Sequence, residues 1–213
     1  SRAPWHFETA SARRLLTQQF ATRDLRGFGC EDLPAAVGAA GALLQYVQET
    51  QKSLLPHLRG LKTDSLDEAL MLDAVSRRNL EIDRSLSGAH EHTLLSVLDT
   101  CRTAMGSRLL GRWLNRPLRQ RARVQARHAA IERLIDDERC LRLRDALREV
   151  ADIERIASRI GLRSARPRDL AGLMQSLERL PAVQTALRGA EAPRLAELEI
   201  LLGDHRSSAS LLR

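Results

Sequence analysis

Four stretches carry residue types whose spacing has chemical potential. Gly27-Phe28-Gly29 has the opening of a dinucleotide-binding loop, but it follows helical text, and Asp32 stands where a third glycine is required. It therefore reads as a turn. No GxxxxGK[S/T] phosphate loop occurs, and neither lysine, Lys52 or Lys62, follows a glycine. No ATP site is expected within these residues. His90-Glu91-His92 places two imidazoles at i and i+2 in a polar loop without supporting Cys or Asp, which is weak as a zinc site. Trp5-His6-Phe7-Glu8 sets aromatics beside a carboxylate; the simpler reading is a strand or coil packing Trp5 and Phe7 on one side. The run Arg112, Arg116, Arg119, Arg121, Arg123 and Arg127 is the one patch with a nucleic-acid character. Phosphate contact needs several of these on one face, and base stacking is unsupported because Trp113 is the only aromatic nearby. A surface or domain-interface role is its first reading; a non-specific nucleic-acid-binding helical module using Arg112–Arg127 is the alternative. No nucleophile–base pair, carboxylate cluster or metal set emerges, so no catalytic residue, cofactor or metal ligand is assigned.

The elements that position these residues follow from composition and pattern. The 213 residues suffice for one large domain or one and a half small ones. Hydrophobic content of 43% supports a core, and 29% charged residues with abundant Leu, Ala, Arg and Glu favours helix. The net charge is +7, and 32 of the 34 basic residues are arginine. Such a balance attracts nucleic acid or acidic partners, or reflects arginines paired along helices. Cys30, Cys101 and Cys140 are odd in number and widely spaced, which fits neither a disulfide framework nor a CxxC site and suits a reducing cytoplasm. No apolar run approaches membrane-spanning length and no signal peptide opens the chain. The chain starts at Ser1 without a methionine, and an excised piece of a longer protein is expected.

Five of the six aromatics lie in the first quarter, which suggests a boundary near residue 62. Before it, Thr9 is expected to cap a helix with an Ala12, Leu15, Leu16 and Phe20 stripe. A second helix is expected from near Asp32, with Pro34 in its first turn and Pro56 as its end. Two short extended pieces, 58–62 and 69–73, come next, then helical text over 74–86 and a polar loop at 87–92. Later helices are expected around Val124, Ile131, Leu134 and Ile135; around Leu143, Leu147 and Val150; around Ile153, Ile156 and Ile160, capped by Asp152; and around Leu170, Leu173 and Leu177. Pro181 and Pro193 are expected to bound the last turns, and 195–202 to point outward with no stop signal. The organising stretch is 94–118: two short amphipathic pieces joined by a Gly-containing turn, with Leu109, Leu110, Trp113 and Leu114 on a face expected to be buried, and Pro117 as the stop. It reads as a structural hinge carried by Thr103, Gly106, Arg108, Leu110, Trp113, Leu114 and Pro117. A generic helical scaffold is a further reading, but no repeat of fixed period is present.

The wording of this hinge resembles the core signature of the MutS mismatch-repair family: Asp99-Thr100, Thr103, Met105-Gly106-Ser107-Arg108-Leu109-Leu110, Trp113-Leu114 and Pro117-Leu118. Asp73–Ile82, Asp152–Ile156 and Arg166–Leu170 agree, and 22–29 followed by 41–51 resembles the end of that family's connector domain. Ser76 departs from the usual threonine. The resemblance spans the chain and is closest to bacterial members. It implies a mostly α fold: a small α-rich connector remnant with a few short strands at 1–62, then the N-terminal portion of a multi-helix lever (core) domain at 63–213, ending before the clamp. It implies a mismatch-recognising ATPase parent using ATP and Mg²⁺, while this segment links the ATPase domain to the DNA clamp. The wedging Phe-x-Glu motif is absent, since Phe7 and Glu8 are adjacent. Implied partners are the other domains of the same chain, mismatched duplex DNA and a second subunit through the parent, and MutL through the connector. The implied location is the cytoplasm, at the nucleoid.

Overall fold

The computed structural model describes residues 3–51, 55, 58–63, 68–136 and 138–213. The described residues form helices joined by turns, and they divide into two compact units. The first holds 1–64 together with Ser158–Ser164; the second holds Ser65–Ala157 and Ala165–Arg213.

In the first unit, α1 (Thr9–Phe20) packs on α2 (Pro34–Gln51). The 3.6-residue period puts Ala12 and Leu16 on one face of α1, and they meet Val37 and Leu44 of α2 in a buried core with Leu25, Cys30 and Leu55. The helices approach so closely that a Cβ at Gly41 would lie 2.4 Å from the Ala12 Cβ and 2.7 Å from its Cα. Only glycine fits there. The expected cap is displaced by one residue: Glu8 occupies the N-cap position and its carboxylate accepts from the Ser11 hydroxyl, while the Thr9 hydroxyl donates to the Pro34 carbonyl at 3.4 Å. Ala21 in the left-handed region ends α1. Gly27-Phe28-Gly29 does form a turn, with Gly29 left-handed at φ 70°. Trp5 and Phe7 depart from expectation. They sit in a 3₁₀ turn, Pro4–Phe7, whose three-residue period splays positions i and i+2 apart, and both are exposed. The expected stop at Pro56 lies outside the described residues. Residues 58–63 carry no regular element.

In the second unit, the expected extended piece at 69–73 reduces to one antiparallel bridge, Ala69 with Leu118. It is framed by the Leu70 N–H donating to Pro117 at 2.8 Å and the Arg119 N–H donating to Glu68 at 3.0 Å. α3 (Ala74–Asn79) starts at Asp73, whose carboxylate accepts both the backbone N–H and the hydroxyl of Ser76 at 2.8 Å. Asp73 is thus the cap, and the Ser76 hydroxyl at the position of the usual threonine tightens it as a donor. These bonds hold the Asp73 carboxyl below its ordinary range. α3 is shorter than the helical text to Leu86: Glu81 is left-handed at φ 45° and breaks the ladder, and a turn-rich loop runs on to Thr93. α4 (Leu94–Leu98) is opened by a capping box in which Thr93 and Ser96 bond reciprocally.

After α5 (Ala104–Asn115) and α6 (Arg121–Asp136), the chain forms α7 (Arg139–Ala146), α8 (Ile153–Gly161) and α9 (Pro167–Leu187). The second core gathers Ala130 of α6, Val183 and Leu187 of α9, and Ala190, Ala192 and Leu195, with Leu134, Leu143 and Leu147 against it. Ile131 and Ile135 are exposed, because the inward side of α6 is the one carrying Ala130 and Leu134. Pro181 does not end its helix: α9 runs through it. A mid-helix proline costs about 3 kcal/mol, which burying Val183 and Leu187 beyond it offsets at about 1.5–3 kcal/mol each. α10 (Pro193–Leu202) is not an outward tail, since Leu195 is buried, and Gly203 at φ 57° stops it. A final helix without an expectation behind it, α11 (Arg206–Leu211), packs on α9 and buries Ala209.

Candidate functional site

The stretch 94–118 is built of two helices and a polar turn. α4 ends at Asp99, whose carboxylate organises the turn: Oδ1 accepts the Cys101 N–H at 3.1 Å and the Ser107 hydroxyl at 3.1 Å. The Ser107 bond first, and the Cys101 bond after it, hold this carboxyl below its ordinary range. Thr103 is the N-cap of α5, its hydroxyl oxygen accepting the Gly106 N–H at 3.1 Å. Gly106 therefore lies in the first turn of α5 rather than in the connecting turn. A Cβ on it would come within 3.2 Å of the Thr103 hydroxyl and 3.3 Å of the Cys101 Cβ, tighter than ordinary van der Waals contact.

Arg108 makes the most demanding contacts of the stretch. Its Nη1 donates to Asp152 Oδ2 at 2.6 Å, while Nη2 donates to Asp152 Oδ1 at 2.8 Å and to Glu154 Oε2 at 2.6 Å. Asp152 in turn accepts the Arg155 N–H at 3.2 Å. It thus caps α8, as its position ahead of Ile153 implied, while gripping α5. The bidentate guanidinium, aided by the Arg155 backbone, brings the Asp152 carboxyl down to about 2 and makes Arg108 still more basic than usual. One residue earlier, the Ala151 N–H donates at 2.9 Å to Ser176, a fully buried serine of α9 whose hydroxyl donates to Gly172 O at 2.6 Å. α5, α8 and α9 meet at residues 151–152. The sequence offered Arg108 and Asp152 as separate features; Glu154 was marked only by its place in the 152–156 wording, and Ser176 carried no signal.

The apolar side of α5 is less covered than its periodicity implied. No residue of α5 is buried. Leu110 and Leu114 are half-buried, and Leu109 and Trp113 are exposed, Trp113 by 39%. One face of the indole is covered by Arg127 of α6, whose guanidinium carbon stands 3.8 Å from the ring centroid. Burial, and then the charges of Arg123 and Arg194, make Arg127 less basic than usual. Pro117 lies just past the end of α5, as expected, and its carbonyl anchors Leu70.

The arginine run crosses the α5–α6 connection. Arg112, Arg116, Arg119, Arg121 and Arg123 are exposed, and Arg123 pairs with Glu68 at 3.1 Å. His90 Nδ1 lies 2.9 Å from the Asp83 carbonyl. Among the described residues no group of three or more His, Cys, Asp or Glu side chains is placed to hold a metal, and no helix is long and apolar enough to cross a membrane. In the first unit, a groove of about 670 Å³ is lined by Trp5, His6, Gln45 and Gln48, with His6 Nδ1 2.9 Å from Gln45 Oε1.

Comparison with protein-family models matches residues 1–59 to MutS domain II and residues 75–212 to MutS domain III. The second match contains the Asp99 clasp, the Arg108–Asp152 grip and the Ser176 anchor, and it alone covers more than half of the chain. The chain belongs to the MutS family of DNA mismatch-repair proteins.

Proposed function

We propose that this chain is the central communication segment of a mismatch-repair ATPase. Residues 1–62 are the C-terminal part of its connector and 63–213 the N-terminal portion of its lever. The segment carries movement between an ATPase domain and a DNA clamp that lie outside these residues, and has no mismatch-reading or ATP site of its own. The parent supplies ATP and Mg²⁺, mismatched duplex DNA and a second subunit. MutL docks through the connector, and the assembly works at the nucleoid.

The observation that carries this reading is the Arg108–Asp152 pair. A bidentate guanidinium–carboxylate contact fixes two planes at once, and here it joins the first turns of α5 to the cap of α8. Packed helices tied in this way move as bodies rather than bending. Coupling needs a demonstrated pair of states. The test is the parent protein with donor and acceptor dyes across its clamp. Arg108→Ala is expected to leave ATP hydrolysis in place and to reduce the ATP-dependent change in transfer efficiency. An unchanged clamp response in Arg108→Ala would sink the lever reading.

A further inference from the structure

From Thr100 to Ile131 the chain holds eight arginines and not one Asp or Glu. The fold spreads six of them along one connected path in the second unit: Arg112 late in α5, Arg116 at its C-cap, Arg119 in the pinned connection, and Arg121, Arg123 and Arg127 in α6. The path is rigid where it turns, because the 117–119 backbone bonds to 68–70. Positions 123 and 127 are one helical turn apart and share a face of α6.

Local carboxylates neutralise little of this charge. Arg108 is held by Asp152 and Glu154, Arg123 by Glu68, and the neighbouring Arg194 by Glu197. Arg112, Arg119, Arg121 and Arg127 have no carboxylate partner among the described residues. Arg127 lies instead on the indole of Trp113. α6 has no acidic residue in its first turn, where one is ordinarily favoured, and carries Arg121 and Arg123 there against the helix dipole. Arginines without a carboxylate partner, three of them exposed and Arg127 half-buried, set along a pinned backbone suit a ligand that brings regularly spaced negative charge.

We propose that this arginine strip binds the sugar–phosphate backbone of nucleic acid, contacting phosphates through Arg112, Arg119, Arg121 and Arg127 and reading neither sequence nor pairing. One face of the single nearby indole is covered by Arg127, and the binding is electrostatic. This surface is independent of the mechanical reading and stands or falls without it.

The test uses this chain with a dye-labelled, fully paired duplex and its mismatched twin, titrated by anisotropy at several salt concentrations. Four phosphate contacts at about −0.9 each give a slope of about −3.6 in log affinity against log salt. Raising salt from about 50 to about 200 mM then weakens binding about 150-fold. The variant Arg112→Gln/Arg119→Gln/Arg121→Gln, which keeps helix propensity and the Arg127 stack, is expected to bind with a slope of about −0.9, a three- to four-fold loss over the same range. Circular dichroism checks its fold; should it melt early, the three single variants, each removing about 0.9 of slope, carry the same test. A triple variant with the wild-type slope, or binding indifferent to salt, overturns the proposal. Polyglutamate of matched charge bound as tightly as duplex, with the same loss in the variant, overturns the choice of phosphodiester. A preference for the mismatch leaves the strip in place only if the triple variant keeps that preference while losing affinity; otherwise the strip reads pairing and the proposal fails.

Discussion

The α1–α2 pair and the α4–α5 stretch begin from the same kind of text, apolar residues at helical spacing, and end in opposite states. In the first, Ala12, Leu16, Val37 and Leu44 are buried and a glycine removes the last barrier to contact. In the second, nothing on α5 is buried, and position is set by polar atoms: the Asp99 clasp, the Thr103 cap and the Arg108 grip. A close-packed pair resists change in volume, whereas a polar-tied helix resists change in bond geometry and leaves its apolar side available. The first is a place of stability, and the second is a place where position is specified.

Mutations sharpen this contrast. The largest effect is expected from truncating matched leucines. Leu16→Ala should cost about 2–5 kcal/mol in denaturant unfolding, since Leu16 is fully buried. Leu109→Ala, on the exposed side of α5, should cost less than about 1 kcal/mol. Equal losses would break the distinction. Next comes Gly41→Ala, which drives a Cβ into the Ala12 backbone and should cost about 1–3 kcal/mol by thermal melt; the double variant with Ala12→Gly should recover part of that loss. The smallest effect is electrostatic. Asp152 titrates near 2 when folded, against an ordinary 3.8. A depressed folded value means that its stabilisation is fully present above about pH 4 and is lost as pH falls through about 2. Melting temperature should therefore fall more steeply with acid in the wild type than in Asp152→Asn over that window. Parallel curves would show that the grip contributes nothing to stability.

Much of the helical layout was legible in the sequence, and the exceptions share a physical origin. Asp152 as a helix cap, Pro34 in a first turn, and the turn at Gly27–Gly29 come from local chemistry, because φ restrictions and cap hydrogen bonds act within four residues. The family wording was legible too, and it reached positions that periodicity alone left unranked. What local chemistry missed was decided at a distance. Pro181 was expected to stop a helix that packing of Val183 and Leu187 carries onward. The face of α5 was expected to be buried because a stripe says which side is apolar but not whether anything covers it. The partner of Arg108 lies 44 residues away, and the sequence names both ends without joining them.

Pro181 has one further consequence. Lacking an N–H, it leaves the Leu177 carbonyl without the α-helical partner due from position 181. The amide ladder of α9 is therefore interrupted there. The N-terminal half is fastened to Ala151 through Ser176, and the C-terminal half is seated in the core by Val183 and Leu187. In amide hydrogen exchange, α9 should behave as two blocks with separate protection, so that loosening the Ser176 end need not unzip the core end.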